Sequence, residues 1–394
     1  MADPWLHIIG LNEDGLAGLS STCRELLAQA EVVFGAPRHL ELAEVGARGQ
    51  AWPVPFSVEP VLALRGSPVV ILASGDPFWF GAGGSIAPHL ERGEWQSYPA
   101  TSTFALAANL LGWRLEEVQC FGLHAAPFAQ LAPHLTRGAR LICLVRDGAA
   151  PAELAAWLVA LGAGEARLQV MESLGGPRER VRETTADGFD LTGVEAPVAV
   201  AIEVVGTSAR PASPGLPDDS FVHDGQITKQ PVRALTLAAL APRRGELLWD
   251  IGAGSGSVSV EWCLLGGRAV AYEAKPARAV NITSNIARFG LGPRMALVKG
   301  AVDGATLPRA PYPDAVFVGG GANDALLRAL FDQLPGGTRL VVNGVTLETE
   351  ALLAQWHGVK GGQLMRVELA QAAPLGTMRG WMPLRPVVQW SVVL

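Results

Sequence analysis

The sequence predicts two different α/β domains in tandem. Short apolar runs alternate with segments of helical period along most of the 394 residues, the pattern of strands layered against helices rather than of an all-β fold. One composition break, TSARPASPGLPDDSF at 207–221, replaces that periodicity with proline, glycine, serine and acids, as a linker or exposed crossing segment does. The strand-end loops on the two sides of the break differ, GLNEDG and SGDP before it and DIGAGSG after it. No register aligns them, so the halves are two folds and not a duplication.

The elements follow in order. WLHIIG, 5–10, reads as a short buried strand ending at a glycine turn, and the segment 18–35 as a helix leading into a second strand. SPVVILASGDPFWFGAG, 67–83, is an apolar strand stopped at Gly75-Asp76-Pro77. FALAANLLGW is a helix, ARLICLVRDG a strand and turn, and APAELAAWLVALG a helix with a glycine stop. APVAVAIEVVG, 196–206, is the last strong strand of this half. Beyond the break, strands are expected at 247–251, 268–273, 295–299, 314–319 and 339–343, and VVQWSVVL at the end reads as an edge or hairpin strand. The resulting division is 1–206, a connecting 207–224, and 225–394.

Composition narrows the function. Half the residues are hydrophobic (49%) and only 17% charged, with a formal net charge of −6; the basic face of a nucleic-acid binder is not expected. The four cysteines, 23, 120, 143 and 263, form no CxxC pair, and the seven histidines form no HxH or HxxxH, so no metal site is predicted and a reducing compartment fits. MADPWLHIIGLNEDG has no basic leader and no later run reaches membrane-spanning length, which predicts a cytoplasmic protein without a membrane partner.

The chemistry-bearing stretch is LLWDIGAGSGSVSVEW, 247–262. Gly252, Gly254 and Gly256 follow a strand and precede a helix, so the backbone can pass close to a ligand and offer free N–H groups. A dinucleotide fingerprint is GxGxxG, whereas this loop is GxGxG with Ser255 and Ser257 interleaved. Glu273 at the end of the next strand suits ribose hydroxyls, and KGAVDG, 299–304, with Val302 and Asp303, suits an adenine edge. Together these favour S-adenosylmethionine over a nicotinamide cofactor; the plain alternative is a tight turn with an incidental glutamate.

Residues 225–325 resemble the decarboxylating precorrin methyltransferase domain of cobalamin biosynthesis, a class I Rossmann-like methyltransferase. The stretches that carry the resemblance are DDSFVHDGQITKQPVRALTLAAL with Gly225 and the pair Thr228-Lys229, WDIGAGSGSVSVEW, and PDAVFVGGG at 313–321. The first 206 residues resemble a tetrapyrrole methylase of the two-lobed class III fold, through LHIIGLNEDGLAGLS, EVVFGAPRHLEL, VVILASGDPFWFGAG and YPATSTFALAANLLGW. The first loop departs from that family's usual GxGPG or GxGPD, reading Gly10-Leu11-Asn12-Glu13-Asp14-Gly15.

The resemblance implies one S-adenosylmethionine site per domain, two per chain. Gly10, Asp76, Thr101 and Ser102 would serve the first, and Thr228 with the glycine loop, Glu273 and Val302 the second. It also implies methylation of a precorrin at C5 by the first domain, and methylation at C15 with loss of the ring C acetate carboxyl by the second, in a homo-oligomer (dimer or tetramer). Lys229, Arg233 and Arg178 are candidates to hold carboxylates of the tetrapyrrole, each with a plain surface-charge alternative; Asp76 and Ser102 have turn and N-cap alternatives. No catalytic side chain is assigned, because transfer from a sulfonium needs alignment more than a base. The rival readings are a small-molecule, RNA or protein methyltransferase with an unrelated first domain, and a non-catalytic scaffold.

Overall fold

The structure is a computed structural model and describes residues 4–206, 214–307 and 311–394. It divides into two compact units, Met1–Phe128 with His134–Ala209, and Ala129–Pro133 with Arg210–Leu394. Part of the expected linker, 207–213, lies outside the described residues.

The first unit opens with β1 (Leu6–Leu11), α1 (Ser21–Gln29), β2 (Val32–Gly35), α2 (Pro37–Leu42), β3 (Gly49–Ala51), α3 (Glu59–Leu62), β4 (Val69–Ser74), α4 (Ala82–Ile86) and β5 (Trp95–Tyr98). These strands form a parallel sheet of order β3-β2-β4-β1-β5. Both faces are covered, which is why β1 and β4 read as continuous apolar runs rather than alternating ones: Ile9, Leu11, Val70 and Leu72 pack with α1, while Leu6, Ile8, Val69 and Ile71 pack on the other side.

A second layer follows with α5 (Thr103–Leu111), β6 (Val118–Leu123), β7 (Arg140–Val145), α6 (Ala150–Ala160), β8 (Arg167–Glu172), β9 (Arg180–Thr185) and β10 (Val198–Glu203). Its sheet has the order β6-β7-β10-β8-β9, with only β6 and β7 parallel. Arg180 and Arg182 lie on β9, an edge strand, and Arg178 in the turn before it.

The second unit contains α7 (Gln230–Leu240), β11 (Leu247–Ile251), α8 (Ser257–Leu264), β12 (Arg268–Glu273), α9 (Pro276–Arg288), β13 (Met295–Lys299), β14 (Ala315–Val318), α10 (Asp324–Gln333), β15 (Arg339–Gly344), α11 (Leu347–Lys360), β16 (Gln363–Val367), β17 (Ala370–Leu375), β18 (Met378–Pro383) and β19 (Val387–Val393). The seven-stranded sheet runs β13-β12-β11-β14-β15-β19-β16, parallel as far as β15. The last strand is not an edge. β19 lies between β15 and β16, antiparallel to both, with Val387, Val388 and Trp390 buried. β17 and β18 form a separate hairpin on which Leu375, Met378, Trp381 and Met382 are exposed.

Candidate functional site

In the second unit every residue of β11 is buried, and the chain then turns through three glycines with positive φ, Gly252, Gly254 and Gly256. Two of them are required for different reasons. A Cβ on Gly252 would stand 2.5 Å from the carbonyl oxygen of Gly320, so the loop passes hard against the Gly319–Gly321 turn. A Cβ on Gly254 would meet only the Gln226 carbonyl oxygen at 3.5 Å, so space opens at the crest of the loop. The turn after β14 closes one side, with Gly319 N–H donating to Ile251 C=O at 2.9 Å.

Glu273 ends β12 nearly buried, and its carboxylate accepts the N–H of Gly254 and of Lys275, each at 2.8 Å. It therefore clasps the glycine loop from below as well as presenting an acid beside it. Asp250 is wholly buried, accepts the Ser259 hydroxyl at 2.7 Å, and has its pKa pushed up to about 7 by burial, with the Glu273 charge adding to the shift. One Asp250 oxygen and the Ser255 hydroxyl are buried without a hydrogen-bond partner among the described residues. An open crest and two unused polar atoms fit a nucleoside cofactor better than a loop that merely turns.

The segment 215–229 runs beside this loop. Asn285, buried on α9, accepts Val222 N–H at 2.8 Å and donates to the carbonyls of Val222 and Ser255, both at 2.9 Å. Sequence reasoning missed this residue, since nothing in NITSNIAR marks which asparagine faces inward. Thr228 is half-buried and Lys229 half-exposed, its ammonium 3.5 Å from Asp218. Val302 is half-buried against the apolar core, while Asp303 spends Oδ1 on the Ala305 and Thr306 N–H groups of its own turn.

Arg233 requires a correction. It has no exposed surface; its guanidinium is committed to Glu261, Asp218 and the carbonyls of Thr228 and Leu216, and stacks over the Phe221 ring at 4.6 Å. Four of its five N–H groups are committed and none of its surface is exposed, so it does not reach a substrate carboxylate; the residue pins the segment 216–221 onto α7 and α8.

In the first unit Gly10, Gly75 and Ala100 bring three strand ends together. A Cβ on Gly10 would fall 2.0 Å from Gly75 carbonyl oxygen, which itself accepts Ala100 N–H at 3.1 Å. Asp76 is half-buried and accepts Phe78 N–H at 2.8 Å, forming the turn. Thr101 is exposed; Ser102 is buried and caps α5 through Ala105 N–H at 3.1 Å. The three nearby arginines separate: Arg180 and Arg182 are held by the buried Glu172, whereas Arg178 remains largely exposed and faces Glu13 at 3.7 Å. Among the described residues no group of three or more His, Cys, Asp or Glu is arranged to hold a metal, and no helix is long and apolar enough to cross a membrane.

Residues 6–190 match the family model of tetrapyrrole (corrin/porphyrin) methylases, and residues 219–394 that of the precorrin methyltransferase domain. A protein of Sinorhizobium sp named precorrin-6Y C(5,15)-methyltransferase [decarboxylating] is 46% identical, over 99% of this chain and 97% of its own length. The chain belongs to this family. A relative of the same name from Mycobacterium tuberculosis is 38% identical over 98% of both chains. The crystal structure of the C-terminal domain of the Rhodobacter capsulatus enzyme is 58% identical, covering 47% of this chain and 100% of that one, with a TM-score of 0.46. The chain is accordingly an N-terminal tetrapyrrole methylase domain followed by a C-terminal Rossmann-like methyltransferase domain, a fold that binds S-adenosylmethionine.

Proposed function

We propose that this chain methylates precorrin-6B (precorrin-6Y) at C5 and C15 and removes the ring C acetate carboxyl, giving precorrin-8, with one S-adenosylmethionine site in each domain. The observation that carries the activity is membership of the decarboxylating family across nearly the whole chain. The reading of two sites is supported by two separate strand-end glycine turns, at Gly10–Gly75 and at Gly252–Gly256, where Gly10 and Gly252 lie against neighbouring backbone too closely for a Cβ. Two methylations at distant ring positions are hard for one pocket to serve, which accounts for a second domain.

S-adenosylmethionine supplies an electrophilic methyl group when bound. The chain's part is to orient and to exclude water: Glu273 fixes the loop crest, Asn285 ties that crest to the segment 215–229, and Asp250 and Ser255 keep polar atoms unspent beneath it. Thr228, Val302 and Lys229 border the second site in this reading; Asp76, Thr101 and Ser102 border the first, with Arg178 toward the substrate. The tetrapyrrole delocalises the charge left by carboxyl loss, so no metal is invoked. We place the division of the chain at 1–206 and 225–394, the protein in the cytoplasm, and the assembly as a dimer or tetramer. Apolar side chains exposed on the β17–β18 hairpin support the last of these.

Titration of the intact chain with S-adenosylhomocysteine is expected to give two equivalents; saturation at one overturns the two-site reading. Glu273→Ala is expected to weaken one of the two equivalents and spare the other. Loss of a hydrogen bond to a charged acceptor costs about 1.5–3 kcal/mol, so the weakened site should lose roughly ten-fold or more in affinity. Two unchanged dissociation constants would reduce Glu273 to a loop clasp.

A further inference from the structure

We infer that Arg38 and Arg178 form the anchor for a side-chain carboxylate of the tetrapyrrole in the N-terminal domain, and that Glu13 occupies this anchor internally until the substrate carboxylate takes its place. The inference rests on the proposed precorrin methylation and names the residues that grip the substrate in its first domain.

Three adjacent strand ends converge here. Glu13 follows β1, Arg38 and His39 follow β2, and Ser74 ends β4, all at the carboxyl edge of the parallel sheet, where open α/β sheets take their ligands. Arg178 reaches the same point from the turn after β8, which packs so closely that a Cβ on Gly176 would stand 2.3 Å from Glu13 Cβ. Glu13 forms ion pairs with Arg38 and Arg178, and among the described residues no other carboxylate lies within ion-pair distance of either guanidinium.

The charge is unbalanced. Glu13 carries one negative charge against two positive ones, and His39 adds none, because burial and the neighbouring Arg38 hold its pKa near 4. Burial and the repulsion of Arg178 also lower the Arg38 pKa. Two guanidiniums kept close together against their own repulsion, with one carboxylate between them, form a site short of one anion.

Arg38 is held in place from behind. Its Nη2 lies 2.9 Å from both Ser74 Oγ and His39 Nε2, and those two atoms are themselves 2.9 Å apart. Neutral His39 can accept the Ser74 hydroxyl proton, leaving Ser74 Oγ to accept from Arg38. Glu13 has only 6% of its side chain exposed, whereas the Arg38 and Arg178 side chains keep 28% and 63%. An incoming carboxylate therefore meets the arginines first. Arg180 and Arg182 also share a single carboxylate, Glu172, but both spend further N–H groups on backbone, on the Gly193 and Thr192 carbonyls. The Glu172 bond, with the Glu195 charge nearby, also raises the Arg180 pKa.

The two charges make opposite predictions, which separates substrate binding from a structural clamp. The intact chain is incubated with precorrin-6B and methyl-labelled S-adenosylmethionine, and the methyl added by the N-terminal domain is followed against precorrin concentration. Arg178→Ala is expected to raise KM for the precorrin roughly ten-fold with kcat little changed. Glu13→Gln removes the internal competitor and is expected to leave KM at or below the wild-type value. The inference is overturned if Arg178→Ala keeps the wild-type KM, or if Glu13→Gln raises KM in step with it, the signature of a clamp. Titration with S-adenosylhomocysteine verifies that each variant is folded. A wild-type chain that leaves the precorrin unmethylated overturns the functional reading and this inference together, whereas a wild-type chain that turns over while Arg178→Ala is silent overturns the inference alone.

Discussion

Gly254→Arg is expected to eliminate the chemistry of the C-terminal domain while the chain stays folded. Gly254 has φ +63°, and a Cβ there finds open space apart from the Gln226 carbonyl oxygen at 3.5 Å. The backbone strain of a non-glycine residue in this conformation is about 1–2 kcal/mol, which a domain of ordinary stability, roughly 5–15 kcal/mol, can absorb. The long side chain then fills the space at the loop crest where the nucleoside is proposed to lie. The equivalents of S-adenosylhomocysteine bound by the intact chain should fall from two to one. Mass spectrometry after incubation with precorrin-6B should show no CO₂ loss and no second methyl gain, with one methyl gain retained. Gly252→Ala is the contrasting variant. Its Cβ would collide with backbone at 2.5 Å, so it should lower stability and not just ligand binding. A folded Gly254→Arg chain that still binds two equivalents and completes all three events would remove this loop from the C-terminal cofactor site.

What the sequence disclosed and what it hid follow from how far apart the interacting residues lie. The glycine loop was legible because strand, turn and helix are consecutive, so local pattern reports local structure. Buried parallel strands such as VVILAS were legible for the same reason. RVRETT was not: it is an edge strand with exposed faces, so it lacks an apolar run, and its arginines are held by Glu172 on the neighbouring strand. Side-chain roles were less visible still. Glu273 reads from sequence as an acid beside the loop, but its clasp on Gly254 depends on how β12 ends against that loop. Asn285 grips Val222 and Ser255 from another helix, and Glu13 meets Arg178 across two layers of the first unit. Arg233 looked like a helix-surface charge or a substrate contact. A guanidinium with zero exposure is neither, because two of its partners, Leu216 and Asp218, come from a segment that sequence alone places in a linker and a third, Glu261, from another helix.

That burial makes Arg233 the position where a single substitution should cost the second unit most stability. Its Nε is 2.5 Å from a Glu261 oxygen, and Glu261 itself accepts the N–H of Leu216 at 2.9 Å, so one ion pair closes the segment 216–221 over α7 and α8. Arg233→Met leaves Glu261 nearly buried without its cation, and breaking a buried pair from one side typically costs about 3–5 kcal/mol. Glu261→Gln leaves Arg233 with the half-buried Asp218 as its remaining counter-charge and should cost less than Arg233→Met, while also weakening the bonds of Glu261 to the overlying backbone. The double variant strands neither charge and should recover part of the loss, the coupling expected of residues in direct contact. Denaturant unfolding followed through tryptophan fluorescence suits the measurement, since Trp249 and Trp262 are buried in the second unit. Because Thr228 and Leu216 carbonyls both depend on Arg233, one equivalent of S-adenosylhomocysteine should weaken together with stability. A loss below about 1 kcal/mol for Arg233→Met would mean that water or a rearranged segment satisfies Glu261, and that Arg233 does not pin the segment beside the glycine loop.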